Sequence, residues 1–310
     1  MQVHFDLQNL PSFDNAAITI GTFDGVHIGH KKVIEALIEE AIKLKGESII
    51  ITFHPHPRKI VNADTPLQLI NTLEEKIELI RQTGVDHIVV VPFTNEFANQ
   101  TAKEYIENFL VKNFNPRTII IGHDHHFGKN REGNIELLQQ LEPTYNFTLL
   151  EIPKHVVDEI AISSSKIRNA LLKSEIDTAN KLLGYPFFFE GKVVAGDALG
   201  RTIGFPTANL DYTNDDKIRL RHGVYAVMVE VENRIFKGML SIGTRPVLKN
   251  SPEKIEVHIL DFQEDIYDKT IRINVVHWLR SQQKFNSLQE MQTQLEADRE
   301  NAKKLLLNYS

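Results

Sequence analysis

The chain of 310 residues contains no cysteine. Disulfides, thiolate metal sites and thiol nucleophiles are thereby excluded. It also lacks any apolar run near the roughly 20 residues that span a bilayer. Its opening residues, Met1-Gln-Val-His-Phe-Asp6, have neither the basic nor the apolar part of a signal peptide. A cytoplasmic location without a membrane partner is the expectation. Acidic residues outnumber basic ones, 41 to 35. The formal net charge of −6 argues against a nucleic-acid partner but leaves room for local basic pockets. Internal repeats and low-complexity segments are missing. What remains, 42% hydrophobic and 25% charged residues, is ordinary globular composition, in a chain long enough for two separate cores.

The first half is organised around Ile18-Thr-Ile-Gly-Thr-Phe-Asp-Gly-Val-His-Ile-Gly-His30. A β-branched run breaks at Gly21, and a helical pattern follows. Ile34, Leu37, Ile38, Ala41 and Ile42 recur at the spacing of one buried helix face. Strand, glycine turn and helix N-terminus together form a place where unpaired backbone N–H groups attract phosphate. Lys31 and Lys32 sit in the first turn, where the helix dipole disfavours cations, and a bound polyphosphate would remove that conflict. His27 and His30, three apart, share a helix face and could stabilise charge developing on a phosphate. The same spacing also suits histidines that merely cap and pack. The stretch matches neither the P-loop pattern nor the dinucleotide fingerprint.

Near-continuous apolar strands at 48–53, 87–91, 117–122 and 147–152 alternate with helical patterns at about 73–82 and 102–112. Such alternation predicts a parallel sheet covered on both faces, with ligand beyond the carboxyl ends of its strands. Three loops open there: the glycine turn, Phe53-His-Pro-His-Pro-Arg58 and Gly122-His-Asp-His-His-Phe-Gly128. Their histidines invite a zinc reading, but a second cluster with ligand spacing is lacking. Lining a nucleotide or flavin pocket is the better use. Downstream, Ser163, Ser164 and Ser165 precede Lys166 and Arg168 at the start of a helix, where they could cap it or hold phosphate oxygens.

From Gly184-Tyr-Pro186 the pattern changes to strands, at 187–195, 224–231, 235–242, 255–262 and 270–277. Five or six such strands predict a small antiparallel barrel, with a hairpin at Asn233-Arg234. A terminal helix carries Leu288, Met291, Leu295, Ala302 and Leu305 on one stripe. The expected domains are 1–183 and 184–310. Gly191, Gly196, Gly200 and Gly204 form a flap leaving the first barrel strand, with Arg201 inside it. Thr207 and Asn209, two apart, place hard oxygen donors on one side of an extended chain, as Mg²⁺ bound with a nucleotide would need. Glu256 is the lone acid of its strand, either a solvent-face residue or a general base for a substrate hydroxyl.

These residues also carry a resemblance. His27-Ile-Gly-His30 is the HIGH signature of nucleotidylyl transferases and class I aminoacyl-tRNA synthetases. The longer Gly21-Thr-Phe-Asp-Gly-Val-His-Ile-Gly-His30, the serine-rich helix start, Gly200-Arg-Thr-Ile-Gly-Phe-Pro-Thr-Ala-Asn-Leu210, Ser241-Ile-Gly-Thr-Arg-Pro246 and Glu256-Val-His-Ile-Leu-Asp-Phe262 resemble bacterial bifunctional riboflavin kinase/FAD synthetases over nearly the whole chain. The synthetases' Lys-Met-Ser-Lys-Ser signature does not occur. The resemblance implies a Rossmann-like nucleotidylyltransferase domain that converts FMN and ATP to FAD and pyrophosphate. A barrel domain would phosphorylate riboflavin with ATP and Mg²⁺. It implies that Gly21, Phe23, Asp24, His27, His30, Ser164 and Arg168 surround ATP in the first domain, with Asp124 on the flavin side. In the second it implies Gly191, Arg201, Thr207 and Asn209 for ATP and the metal, Arg280 for flavin, and Glu256 as catalytic base. His54, His125 and Gln282 depart from the family pattern.

Overall fold

The computed structural model describes the chain apart from residues 63, 65, 123–124, 153–161, 197–199, 201–202, 213, 215, 245–252 and 310. Two compact units result, Met1–Ser164 and Ser165–Ser310.

The first unit is a parallel sheet. Its described strands are β1 (Gln2–His4), β2 (Ala17–Ile20), β3 (Ser48–His54), β4 (His87–Pro92), β5 (Thr118–Gly122) and β6 (Thr148–Ile152). They lie in the order β1-β4-β3-β2-β5-β6, each pair parallel. The chain winds outward in both directions from β2, so the crevice between β2 and β5 is the topological switch point, where open α/β sheets bind ligands. Helix α1 (Ile28–Leu44) crosses one face against β2, β3 and β5. Helix α2 (Leu73–Arg81) starts with a capping box between Thr72 and Glu75. The next helix, α3, is α over Ala102–Glu104, π over Tyr105–Val111 and α again over Lys112–Phe114. Its Tyr105, Ile106, Phe109 and Leu110 pack with Ile18, Ile49, Ile51 and Ile119 in the core of the other face. Strands buried on both faces explain the uninterrupted isoleucine and valine runs.

Three sequence expectations shift in this unit. Ile42 is 71% exposed rather than part of the buried face, because it lies roughly 100° round the helix from the centre of Ile34, Leu37 and Ala41. Helix α4 (Ile135–Tyr145) joins β5 to β6, its periodicity masked by Pro143 near its end. The edge strand β1 is too short to signal itself.

Helix α5 (Ser164–Leu172) starts at the last residue of the first unit, and α6 (Ile176–Leu183) follows in the second. The barrel follows: β7 (Phe187–Val194), β8 (Ala208–Asp211), β9 (Gly223–Val231), β10 (Arg234–Gly243), β11 (Lys254–Ile259) and β12 (Thr270–Ser281), closed in the order β10-β11-β8-β7-β12-β9. Strand β8, only four residues long, is the sixth strand. The β9–β10 hairpin turns at Glu232-Asn233, both at positive φ (48° and 65°), and Arg234 already pairs with Val231. The turn therefore falls one residue earlier than the sequence suggests, as a tight two-residue loop with left-handed central residues requires. Helix α7 (Leu288–Leu305) lies on the outside of the barrel. There Phe205, Ala226, Met228, Met239, Val276, Ala302 and Leu306 form a second core. Leu306, not the exposed Leu305, completes the stripe of α7.

Candidate functional site

The turn after β2 is built under strain. Phe23, Gly25 and Val26 all have positive φ, at 48°, 88° and 32°. For a β-branched residue such as Val26 that is an outlier, of the kind that persists where function fixes the backbone. Asp24 is buried, and its Oδ1 accepts the N–H groups of Ile70 (2.9 Å) and Asn71 (3.4 Å). Its carbonyl accepts the Ser164 hydroxyl at 2.8 Å. Gly21, Phe23, Asp24, His27, His30 and Ser164 thus lie around one turn. Arg168 lies one turn beyond Ser164 on α5, and its Nη1 donates to Ser165 Oγ at 3.4 Å.

His27 is the N-cap of α1 rather than a helical residue. Its Nδ1 accepts the His30 N–H at 3.2 Å, so the proton of the neutral ring resides on Nε2. The two rings stack at 3.6 Å with 13° between planes, and Phe23 packs edge-on against His30 at 5.1 Å. Burial pushes the His27 pKa down to about 4. His30 is lowered well below the ordinary histidine value by burial first, then by His27 and Lys76. Both rings are neutral near pH 7. The Nδ1 of His30 is buried without a hydrogen-bond partner among the described residues. Beneath the turn, the Lys76 ammonium on α2 donates to the Thr22 carbonyl (3.0 Å) and to Thr52 Oγ1 (3.2 Å). Sequence reading missed Lys76. The signal was a cation on the apolar stripe of α2, one turn before Ile80.

Asp124 lies outside the described residues. Of the unusual histidines, His56 caps a short helical turn by accepting the Arg58 N–H at 3.1 Å. The His125 pKa is pushed down to about 4, by burial first and then by His126 and Arg131.

The second constellation is on the barrel wall. Registry aligns Arg280 with Val224, Val224 with Ser241, Ser241 with Glu256, and Glu256 with Asn209. Directly paired residues share a face, so these five form one row across β12, β9, β10, β11 and β8. Along β11, Ile255, Val257 and Ile259 point into the barrel, while Lys254, Glu256 and His258 look outward. Glu256 is half-buried and lines a cavity of about 760 Å³ on that outer face. The cavity is lined by Ser241, Glu256, Arg280, Thr207 and the α7 residues Met291 and Leu295. A neighbouring cavity of about 470 Å³ is lined by Val193, Ala208, Phe262, Asp265 and Tyr267, and again by Thr207. Thr207 is the residue the two share.

The glycine flap explains how Thr207 and Asn209 fit. A Cβ on Gly196 would stand 1.9 Å from Asn209 Nδ2, and one on Gly200 would stand 2.1 Å from the Phe205 carbonyl. Only glycine lets the flap lie on those groups. Gly191 is different. It sits within β7, where its missing side chain admits Leu210, and it lines neither cavity. Arg201 is outside the described residues. Arg280 lines the larger cavity, yet its guanidinium is held by the buried Asp298 of α7 through contacts of 2.7–3.0 Å. Gln282 donates to the Thr244 carbonyl at 2.9 Å. Asp298 was missed from sequence, and Ser241 was read there only as part of a family motif, without a role; Asp298 interrupts the apolar stripe between Leu295 and Ala302.

Residues 10–166 match the family model described as FAD synthetase, and residues 183–306 match that described as riboflavin kinase. The bifunctional riboflavin kinase/FMN adenylyltransferase of Escherichia coli strain K12 is 36% identical over 92% of this chain and 91% of its own. The chain belongs to the bifunctional riboflavin kinase/FMN adenylyltransferase family. Its Bacillus subtilis member is 37% identical over 93% of this chain and 91% of its own. A solved Streptococcus pneumoniae chain described as a macrolide-efflux protein is 29% identical, with a TM-score of 0.88 over 100% of this chain and 99% of that one. Among the described residues, no helix here is long and apolar enough to cross a membrane. As a family member the chain carries an FMN adenylyltransferase region and a riboflavin kinase region, both using ATP, in the order that the sequence motifs imply.

Proposed function

We propose that riboflavin is phosphorylated on the outer face of the barrel and that the FMN so formed is adenylylated at the glycine turn. The functional boundary then follows Leu183. The observation that carries the kinase half is the row running from Arg280 through Glu256 to Asn209, beside a Thr207 that borders two cavities. Flavin belongs in the larger, more apolar one and ATP in the smaller, so that the reacting groups meet at Thr207. Glu256 takes the proton of the terminal ribityl hydroxyl as its oxygen attacks the γ-phosphorus, and ADP leaves. Thr207 and Asn209 offer a hydroxyl and an amide oxygen on one face, with a carboxylate opposite. That all-oxygen set fits Mg²⁺, which takes the rest of its ligands from water and phosphate. Thr207 and Asn209 would hold the ion; when bound it neutralises charge on the transferring phosphates. Arg201 stands close by in sequence to bear on the same phosphates. Arg280 forms part of the flavin-side wall.

In the first unit, an oxygen of the FMN phosphate attacks the α-phosphorus of ATP and pyrophosphate leaves. Protein nucleophiles are not needed, so orientation and charge stabilisation do the work. The Nε2–H of His27 and the ring of His30 donate to the phosphates, the amides of the turn and helix start add further donors, and Ser164 and Arg168 take the pyrophosphate end. Asp124 is the flavin-side contact.

Chromatography of riboflavin with Mg-ATP and the purified protein tests both halves. FMN should appear first and then FAD. Glu256→Ala should abolish FMN formation yet convert supplied FMN to FAD, whereas His27→Ala should accumulate FMN. Loss of both activities by either variant in folded protein would contradict the two-site assignment.

A further inference from the structure

Lys76 presents a puzzle that stability alone does not resolve. Its side chain is 7% exposed, and it occupies the first turn of α2, where the helix dipole opposes a cation. Burying an ammonium is costly even with hydrogen bonds, and a methionine would fill the same space without that cost. Among the described residues, Lys76 faces groups of the adenylyltransferase turn and its support. Its Nζ donates to the Thr22 carbonyl at 3.0 Å and to Thr52 Oγ1 at 3.2 Å, and Thr52 Oγ1 donates in turn to the same Thr22 carbonyl at 3.2 Å. Asp24, two residues on, attracts the ammonium, and His30 on α1 feels its positive charge. His27, the other titratable group of the cluster, stacks on His30.

We infer that Lys76 is a positioning residue for adenylyl transfer, whose buried ammonium pins the Thr22 carbonyl and sets the strained turn that carries His27 and His30. This rests on the assignment of the glycine turn as the adenylyl-transfer site. Thr22 immediately precedes the left-handed Phe23, so fixing its carbonyl fixes the peptide plane from which the turn departs. Thr52 closes the arrangement from β3, the strand next to β2. Asp24 draws the ammonium toward the turn while itself accepting two backbone N–H groups. Lys76 touches no substrate in this assignment; it acts through the backbone it holds.

Charge and bonding separate experimentally. Burial lowers the Lys76 pKa to about 8, with Asp24 acting in the opposite sense. Raising the pH through 8 therefore removes the charge from the folded protein while leaving an amine that still donates. FAD formation from FMN and ATP should fall as pH rises from 7 to 9 in the unaltered protein. The Lys76→Met variant should lose about tenfold to a hundredfold in kcat, the effect of deleting a buried hydrogen bond to a charged group. It should keep its KM for FMN and its riboflavin kinase rate, and it should lack the step near pH 8. Lys76→Arg should retain activity and carry the alkaline fall to higher pH. Unchanged kcat in Lys76→Met, or an alkaline step that survives in it, overturns the inference. His27→Ala, assayed alongside, separates the two ideas. If it still makes FAD, the site has been placed wrongly; if it does not while Lys76→Met does, only the role of Lys76 fails. Should Lys76→Met not fold, the Lys76→Arg profile decides alone, since an alkaline step left at its original pH refutes the role.

Discussion

Removing Asp298 should unfasten the terminal helix from the barrel, and the cost follows from the pairing. Arg280 Nε lies 3.0 and 2.9 Å from the two carboxylate oxygens and Nη2 lies 2.7 Å from Oδ2, with Gln294 donating to Oδ1 at 2.9 Å. The two side chains are 14% and 5% exposed, so solvent screens the pair little. Asp298→Ala leaves a guanidinium buried without its counter-charge, which costs about 3–5 kcal/mol. With a urea m value of about 2 kcal/mol per molar, the midpoint should fall by about 1.5–2.5 M. The chain has one tryptophan, Trp278, on β12 beside Arg280. Its fluorescence reports the barrel unit while FAD synthesis reports the other. The double variant Arg280→Met/Asp298→Leu should recover most of the lost stability, because an apolar pair of similar volume carries no desolvation penalty. A midpoint in Asp298→Ala within about 0.3 M of the parent, well below the shift worked out above, would refute the reasoning. So would a double variant no better than the single one.

Further tests address each site. Gly196→Ala places a Cβ 1.9 Å from Asn209 Nδ2 and should displace that side chain, raising the Mg²⁺ concentration needed for FMN formation while leaving FAD formation from FMN intact; an unchanged Mg²⁺ titration counts against the metal assignment. Gly25→Ala forces a side chain onto φ 88° and should destabilise the first unit by about 1–2 kcal/mol and slow FAD formation, as read by thermal melts and FMN turnover. Acid should weaken the first unit. The unfolded chain protonates His27 near 6.5 and the folded one only near 4, so its contribution to stability is complete above pH 6.5 and is lost as pH falls toward 4. His27→Gln should make the unfolding midpoint less steeply dependent on pH between 4 and 6.5, and an unaltered slope would exclude that role for burial.

Local pattern made much of this legible. The strand–turn–helix at Gly21, the parallel alternation and the barrel strands are all signalled by neighbours in sequence. The row from Arg280 to Asn209 is not. It depends on registry among five strands, one of them four residues long and another carrying irregularities between Val275 and His277 and between Trp278 and Arg280. Lys76 and Asp298 each read as an ordinary surface charge until the residues that bury them are known. Both left one mark, a charge at a position where the helix period calls for an apolar side chain.

The shortness of β1 has a practical consequence for anyone handling this protein. Among the described residues, three pair with the outer margin of β4, through Gln2–His87, Val3–Ile88 and His4–Val89. Trimming the first few residues would bare a row of unsatisfied N–H and C=O groups along a valine-rich strand, a template on which a second molecule could add. Such a truncation leaves every catalytic side chain in place, yet it should shorten shelf life and lower the concentration at which samples stay clear.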